Sequence, residues 1–357
     1  MEEYQKEVQM LALMHRAALL VVQGKILYAN PAASRFLLQP GMDFTPLLST
    51  GQIEYPDFPN GCMHLTLHQD GFDFAATILR DAQKDIVLLE ETGDASPLQA
   101  LSLAALELRQ PLAGASAIAD RMFPAMAQND QLQDYCDQLN RRMLQMQRII
   151  GNMADCQDYG HADERAMEYV EISSFLEELL LGAADALQQA GFQLEWELPE
   201  QRIYTLAYPQ KLERAVYNLL SNAAKFSPQG GIIRAQLRYS GERLSFSVTD
   251  QGPGVNHAGD AFTRYLRQPG IEDPRYGLGL GMVLVRATAA LHGGAVLLDQ
   301  PEGWGARFTI TMAIRRKKES QVQSPIMRID YAGEKDHCLL ELSDVLPAQL
   351  YRTENLK

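Results

Sequence analysis

Three polar or glycine-rich stretches in the second half of the chain carry residues suited to binding a phosphorylated ligand. They read NLLSNAAKF at Asn218–Phe226, DQGPGV at Asp250–Val255 and YGLGLGMVLV at Tyr276–Val285. Glycine lets a backbone approach a ligand closely, but it also serves plain turns and helix caps, so one such loop is weak evidence. Three of them in a fixed order with compatible spacing predict a nucleotide site.

These motifs resemble the nucleotide site of the histidine kinase, DNA gyrase and heat-shock chaperone ATPase superfamily, and within it the sensor histidine kinases. The resemblance runs from roughly Tyr169 to Ile314. It implies an α/β sandwich domain that binds ATP with Mg²⁺.

The asparagine-rich stretch is a helix in that family, and Asn218 and Asn222 would then lie one turn apart on the same face. Mg²⁺ takes oxygen ligands and keeps several waters, so one amide oxygen plus the phosphates can complete its coordination. We therefore assign Asn222 to the metal, with Asn218 beside it, and Lys225 to the phosphates as a compact charge. A solvated polar helix face is the alternative.

Asp250 follows the alternating segment Leu244–Val248, which predicts a strand ending in a turn. By resemblance, its carboxylate accepts a hydrogen bond from the adenine amino group, while Gly252 and Gly254 bring the backbone close to the base. An ordinary turn with Asp before Gly-Pro is the alternative.

The third stretch opens a predicted helix whose amides and dipole suit a triphosphate. By resemblance, residues 256–275 are expected to form the mobile lid of the family, in which an arginine can stabilise the transferred phosphoryl group. A solvated surface is the alternative for these arginines. Arg275 and Tyr276 stand where the family usually has small residues. The lid and third stretch together contribute the remaining expected nucleotide contacts, which are Arg264, Arg267, Gly277, Leu278, Gly279 and Leu280.

Asn218 stands where the hydrolytic members of the superfamily have a glutamate that activates water. An amide cannot act as a general base. The site therefore resembles a transferase or a slow nucleotide switch more than an efficient ATPase.

Upstream, apolar residues recur in alternating steps of three and four over Leu98–Met122 and again over Leu132–Met153. Ser96-Pro97 is typical of a helix start. The pattern predicts a helical hairpin, and two hairpins in a homodimer would form a four-helix bundle. This matches the dimerisation and phosphoacceptor module of histidine kinases.

The phosphoacceptor histidine of that family is missing here. The segment Leu106-Glu107-Leu108-Arg109-Gln110-Pro111 aligns with the motif and places Leu106 at the acceptor position. Leucine has no nucleophilic atom, so autophosphorylation at this position is chemically impossible. None of the seven histidines lies on the outward face of the first helix.

Two polar residues beside the lost acceptor match catalytic positions of the family. In the family, the residue at the position of Glu107 assists the acceptor as a base. The residue at the position of Gln110 helps to align the water that dephosphorylates a partner response regulator. A bundle helix with a tolerated proline at Pro111 is the alternative.

The first ninety residues predict a small α/β sensor. Strands are expected at Leu19–Val22 and Lys25–Tyr28, then a short helix from Asn30 to about Leu38, then three strands. Tyr28-Ala29-Asn30-Pro31-Ala32 and this order resemble the PAS domain, with an unknown small ligand or dimerisation as its role.

The sequence thus predicts an α+β multidomain protein in four parts: a PAS-like sensor, the hairpin, the ATPase domain and a C-terminal tail. Their expected bounds are 1–93, 96–158, 168–316 and 317–357. In the tail, Met327–Tyr331 and His337–Leu342 are compatible with a β-hairpin.

A net charge of -13 disfavours nucleic acid and anionic membranes. Without a signal peptide or a long apolar run, and with four scattered cysteines, the chain is expected to be cytoplasmic.

Three function classes remain open. The first is an ATP-binding histidine kinase homologue without autokinase activity that acts as a regulator or response-regulator phosphatase. The second is an active kinase for a partner chain or another residue. The third is a non-enzymatic scaffold whose conformation is set by nucleotide or sensor ligand.

Overall fold

The computed structural model describes residues 4–81, 84–91, 96–126, 130–158, 166–254, 280–316, 336–352 and 355. Within these residues, no helix is both long and apolar enough to cross a bilayer. The elements follow the chain in the order given below.

The N-terminal part is an antiparallel sheet with short helices. It contains α1 (Gln5–Ala12), β1 (Ala17–Val22), β2 (Lys25–Ala29), α2 (Pro31–Ser34), α3 (Glu54–Asp57), β3 (Gly61–Gln69), β4 (Phe72–Asp81) and β5 (Lys84–Glu91). The strand order is β2-β1-β5-β4-β3. All five predicted strands are present, and the predicted helix after Asn30 ends at Ser34, earlier than expected.

Asn30 organises the start of this sheet. Its Oδ1 caps α2 by accepting from the Ala33 N–H at 2.9 Å, and also accepts from the Ala18 N–H at 3.0 Å. Its amide donates to the Arg16 carbonyl at 2.7 Å. A fully buried side chain whose hydrogen bonds are all used in this way fixes how α2 leaves the sheet.

Two long helices follow, α4 (Ser96–Met126) and α5 (Asp130–Asp158). They pack against each other along their length through Ala105, Ala119, Phe123, Cys136, Met143 and neighbouring residues. The predicted helical hairpin is therefore present in the chain. Helix α4 runs without a break through Pro111.

The third part places helices on one face of a second sheet. Its elements are β6 (Glu168–Glu171), α6 (Ile172–Gln189), β7 (Gln193–Glu197), β8 (Tyr204–Ala207), α7 (Pro209–Phe226), β9 (Ile232–Ser240), β10 (Arg243–Thr249), α8 (Leu280–Leu291), β11 (Val296–Asp299) and β12 (Arg307–Ala313). The main sheet runs β11-β12-β10-β9-β7, and β6 pairs with β8 separately.

Local sequence explains how the helices of this part begin. The Glu171 carboxylate accepts from the N–H groups of Ser173 and Ser174 and so caps α6. Pro209 at the first turn of α7 supplies a preset backbone angle. The apolar faces of α6 and α7 then cover the inner face of β9, β10 and β12 in one core.

The two sheets are joined edge to edge, which the sequence did not predict. Strand β3 pairs antiparallel with β11, with His64, Met63 and Cys62 opposite Val296, Leu297 and Leu298. One ten-stranded sheet results. The N-terminal part and the third part therefore share a continuous backbone hydrogen-bond ladder.

The C-terminal segment, defined here as residues 336–352, is folded onto the third part. It forms α9 (His337–Glu341), capped by Asp336, and a 3-10 turn at Ala348–Tyr351. The prediction that His337–Leu342 forms a strand was wrong, because the Asp336 carboxylate accepts from the Leu339 N–H and starts a helix. The other proposed strand, Met327–Tyr331, lies outside the described residues.

Candidate functional site

The predicted nucleotide residues that the structure describes lie on α7, at the end of β10 and at the start of α8. Asn218 and Lys225 occupy one face of α7, with Asn222, which is half-buried, between them in sequence. Leu280 begins α8 and is buried. Helix α8 approaches α7 so closely that a Cβ on Gly281 would lie 2.6 Å from the Asn218 Oδ1.

Asp250 lies directly after β10 and is buried. Its Oδ1 accepts from the N–H groups of Gly252 at 2.8 Å and Ala306 at 3.0 Å. Burial raises the pKa of Asp250 above its ordinary value, and the two N–H donors act in the opposite direction. The carboxylate is thus held by the turn and by the strand beside it, as a fixed recognition group requires.

The turn after Asp250 contains both predicted glycines. Gly252 contributes the N–H bond described above, and Gly254 has a positive φ of 74°. The sequence-based placement of these residues after a strand is therefore confirmed. Arg264, Arg267, Gly277, Leu278 and Gly279 lie outside the described residues.

The side chain of Asn218 is bound by protein groups in this structure. Its Oδ1 accepts from Arg148 Nη2 of α5 at 3.0 Å, and its amide donates to the Arg214 carbonyl at 2.8 Å. The Arg148 Nη1 also lies 3.4 Å from the Ser221 Oγ. Helix α5 of the hairpin therefore reaches the face of α7 that carries Asn218 and Ser221.

Lys225 is paired with the C-terminal segment. Its Nζ lies 2.6 Å from the Asp344 Oδ2, and the same oxygen accepts from Arg148 Nη1 at 2.7 Å. Burial lowers the pKa of Lys225, and Asp344 partly counteracts this. Burial would raise the pKa of Asp344, but Arg148 and Lys225 together bring it below its ordinary value.

A second carboxylate of the C-terminal segment joins two arginines. Glu341 is fully buried, and its Oε2 and Oε1 accept from Arg148 Nε and Arg214 Nε, each at 3.1 Å. Arg214 also pairs with Asp155 of α5. Three segments that are distant in sequence, namely α5, α7 and the C-terminal segment, thus meet in one buried charged cluster.

The sequence pattern does not predict this cluster. The one available signal was the spacing of Arg214, Asn218, Ser221 and Lys225, which puts a polar stripe along α7 in steps of three and four. Nothing in the local sequence indicates that Arg148, Glu341 and Asp344 would lie on that stripe.

The residues around Leu106, the position at which the sequence predicts the acceptor to be missing, lie in α4. Ala105 is fully buried and belongs to one apolar cluster with Ile150 and Met153 of α5 and with Leu280 and Leu284 of α8. Glu107 is exposed. The backbones of Leu106 and Gln110 are helical, and their side chains lie outside the described structure.

The residues present fit a nucleotide. Asp250 offers a buried carboxylate fixed by backbone amides, and Asn222 remains half-buried on the α7 face between Asn218 and Lys225. Asn218 and Lys225, in contrast, are engaged by Arg148 and Asp344. No group of three or more His, Cys, Asp or Glu residues able to hold a metal occurs in the described ranges.

Comparison with known families locates the ATPase domain. Residues 207–316 match the family described as histidine kinase-, DNA gyrase B-, and HSP90-like ATPase. This span contains α7, Asp250 and α8. The third part of the chain, which runs from β6 to β12, is therefore called the ATPase part.

Relatives of the chain are sensor kinases. It is 34% identical over 145 residues to the sensor histidine kinase TmoS of Ectopseudomonas mendocina, covering 39% of this chain and 15% of TmoS. It is 29% identical over 225 residues to the alginate biosynthesis sensor protein KinB of Pseudomonas aeruginosa, covering 58% of this chain and 35% of KinB. The chain thus spans about a third or less of the length of these relatives.

A solved structure shares the fold. The crystal structure of full-length ShkA in complex with AMPPNP superimposes with a TM-score of 0.51 at 23% identity, over 61% of this chain and 46% of that one. The α/β fold expected for the ATPase domain is supported by this likeness.

Proposed function

We propose that the chain is an ATP-binding sensor histidine kinase homologue of two-component signal transduction that cannot phosphorylate itself at the usual position. In this role it regulates a partner response regulator or removes phosphate from it. It binds ATP together with Mg²⁺. Its compartment is the cytoplasm.

The observation that carries this proposal is the fixed position of Asp250. Its carboxylate is buried at the end of β10, and one oxygen is oriented by the Gly252 and Ala306 amides. A carboxylate that is already oriented loses little conformational entropy when it accepts a hydrogen bond from an exocyclic amine. Its place beside α7, within the matched ATPase span, supports the proposal that it contacts the adenine.

The other residues of this chain then take distinct parts. Asn222 would contribute an oxygen to Mg²⁺, and Lys225 would contact the phosphates as a point charge. Asn218 lies on the same face of α7 but offers no general base, so rapid hydrolysis is not expected. A bound nucleotide would bring the phosphates to this face of α7, and Mg²⁺ would neutralise part of their charge.

The leucine at position 106 argues against autophosphorylation, while Glu107 is solvent-exposed beside it. Phosphatase action needs a water and a group that orients it, and an amide such as that of Gln110 can do this through its carbonyl and its N–H. Loss of the acceptor therefore leaves the regulatory and phosphatase roles chemically open.

The hairpin and the N-terminal sheet support two further parts of the proposal. The chain acts as a homodimer through α4 and α5, because both helices expose large apolar residues away from the hairpin interface. The five-stranded antiparallel N-terminal sheet, with its helical segment between β2 and β3, serves as a PAS-like sensor for an unknown small ligand.

Calorimetric titration of the purified chain with Mg-ATP tests the nucleotide assignment. We expect binding by the wild type and weaker binding, by about tenfold, for Asp250→Asn, since one charged hydrogen bond contributes about 1.5 kcal/mol or more. The variant keeps an Oδ1 that can accept from Gly252 and Ala306, so the fold should persist. Asp299→Asn, at the end of β11, is the matched control. Absence of binding at millimolar ATP, both in the wild type and in an Asp344→Asn variant that frees Lys225, would sink the proposal.

A non-enzymatic scaffold is the second candidate, and the contacts of Arg148 with Asn218 and of Asp344 with Lys225 favour it. Transfer of label from γ-labelled ATP to the chain, to a response regulator or to a partner kinase separates the classes. Labelling of a partner supports an active kinase, accelerated loss of label from a phosphorylated response regulator supports the phosphatase, and neither change supports the scaffold.

A further inference from the structure

The C-terminal segment contacts the same α7 face that the proposed function assigns to the phosphates of ATP. Asp344 places a carboxylate oxygen 2.6 Å from the Lys225 Nζ. A carboxylate and a phosphate oxygen are both anionic acceptors, and one lysine ammonium satisfies either of them. Asp344 therefore stands in for a phosphate at Lys225.

The segment also orients Arg148. Two of its carboxylates, Glu341 and Asp344, accept from Arg148 Nε and Nη1, which aims Nη2 at the Asn218 Oδ1. Arg148 is buried, and an unpaired buried guanidinium would be costly, so its position depends on these two partners. The segment thus indirectly engages a second nucleotide residue.

The segment is seated as a folded unit and not as a loose chain. Leu339, Leu340, Leu342 and Leu346 join the core beneath α6 and α7, and the Tyr351 hydroxyl donates to the Leu339 carbonyl at 3.0 Å. Hydrogen bonds from Asn140 and Arg141 to its carbonyl oxygens attach it to α5 as well. It therefore bridges the hairpin and the ATPase part.

We propose that the C-terminal segment is an autoinhibitory clamp that competes with the phosphates of ATP for α7 and holds α5 against it. The inference rests on the proposed nucleotide site. The phosphates of ATP and the Asp344 carboxylate would contact the same face of α7. Binding of ATP and docking of Asp344 on α7 therefore oppose each other. Nucleotide binding would also loosen the link between α5 and α7.

The first test compares Mg-ATP affinities of the full-length wild type, Asp344→Asn and Asp336→Asn by calorimetry. Asp344→Asn should bind at least about fivefold more tightly, the lower end of typical coupling between opposing ligands. Asp336→Asn removes the same charge from the same segment, but asparagine retains the helix cap. Its affinity should equal that of the wild type.

Equal or weaker binding by Asp344→Asn overturns the clamp, since Asp344 would then be neutral or supportive at the site. If neither the wild type nor Asp344→Asn binds Mg-ATP at millimolar concentration, the nucleotide site itself is wrong, and the inference falls with it. Binding by the wild type with no gain in Asp344→Asn leaves the nucleotide site intact and removes only the clamp.

A second measurement uses the wild type alone and so does not depend on how a variant folds. The amides of Leu342, Val345 and Leu346 donate within the segment, and their hydrogen exchange reports its seating. Saturating Mg-ATP should speed exchange at these amides. Unchanged or slower exchange on binding contradicts the competition.

Discussion

His292 is a buried imidazole whose two nitrogens are both used. Nε2 lies 3.1 Å from the Tyr208 backbone N–H and accepts from it, so Nδ1 carries the proton and donates to the Thr288 carbonyl at 2.7 Å. Burial lowers the pKa of His292 to about 4, with Arg315 and Lys211 acting in the same direction. The ring is therefore a neutral structural link between α8 and the start of α7.

This histidine predicts an acid-sensitive stability. Its pKa in the fold lies below the unfolded value of about 6.5, so its contribution is fully present above pH 6.5 and is lost as the pH falls toward 4. From pH 7 to pH 4.5 the free energy of unfolding should fall by about 2–3 kcal/mol more in the wild type than in His292→Gln. Urea unfolding at both pH values measures this, and parallel pH profiles would contradict it.

Leu106→His supplies the missing nucleophile to α4. If the lost acceptor is the main defect, the variant should gain acid-labile label from γ-labelled ATP, because Glu107 is still present as a base. Rescue is expected to be partial, because Arg275 and Tyr276 depart from the family pattern and the ATPase part is tied to α5. Leu106→Gln is the polar control without a nucleophile. Robust acid-labile labelling of the wild type would refute the assignment of the acceptor position.

At the scale of elements, the heptad pattern of the hairpin separates into two sets. Ala105 and Ala119 on α4, with Cys136, Met143 and Ile150 on α5, are buried within the chain. The alternate set is exposed, at 48% for Leu108, 48% for Met122, 48% for Leu139 and 46% for Met146. One set thus closes the hairpin, and the other is free to pack on a second hairpin.

This division predicts different results for two glutamate substitutions. Leu108→Glu should give a folded monomer, because it places a charge on the exposed set. Met143→Glu should unfold the hairpin, since Met143 is only 5% exposed and a buried unpaired charge costs several kcal/mol. Light scattering with circular dichroism distinguishes the two results.

Leu181→Glu, on the exposed side of α6, is the control for an equally apolar surface residue outside the hairpin. It should leave the oligomeric state unchanged. A wild-type monomer at micromolar concentration, or a Leu108→Glu dimer, would count against the four-helix bundle.

Sequence periodicity predicted those elements whose faces are set by local spacing. The strands on both sides of Gln23-Gly24 and the two heptad helices follow from turn signals and from the spacing of apolar residues. The helix carrying Asn218 and Asn222 was expected from the family resemblance. His337–Leu342 was assigned wrongly because a short apolar run fits strand and helix equally, and the Asp336 cap decided the outcome.

The charged cluster and the β3–β11 junction could not be predicted in this way. Arg148 and Glu341 are 193 positions apart, and their pairing depends on where the C-terminal segment docks. The partner of a strand edge likewise cannot be predicted from its side chains, because the hydrogen bonds that join two strands are made by backbone groups.

At the scale of the whole molecule, Gly61 controls the joint between the two sheets. Its φ is 146°, and an added Cβ would lie 2.5 Å from the Leu298 carbonyl oxygen of β11. Gly61→Ala should therefore open the joint, whereas Gly71→Ala, which has a φ of 82° and nothing within 4 Å, adds only backbone strain of about 1 kcal/mol.

The two tryptophans, Trp196 and Trp304, both lie in the ATPase part and report on it alone, whereas circular dichroism reports on every helix and sheet. The urea midpoints measured by tryptophan fluorescence and by circular dichroism should coincide in the wild type and in Gly71→Ala. In Gly61→Ala the two midpoints should separate by a measurable interval. Coincident midpoints in Gly61→Ala would show that the two sheets do not depend on this joint.

The same joint bears on how the chain is made. Strand β3 leaves the ribosome about 230 residues before β11, which at roughly 5–20 residues per second is on the order of 10–50 s. During that interval its outer edge has no partner from its own chain, and a free strand edge is a template for pairing with other chains. Pairing β3 with β11 also closes a long loop, at an entropic cost of about 5 kcal/mol, and only three residue pairs offset that cost. The interval before β11 is synthesised is therefore a stage of biogenesis at which the edge of β3 is open to pairing with other chains.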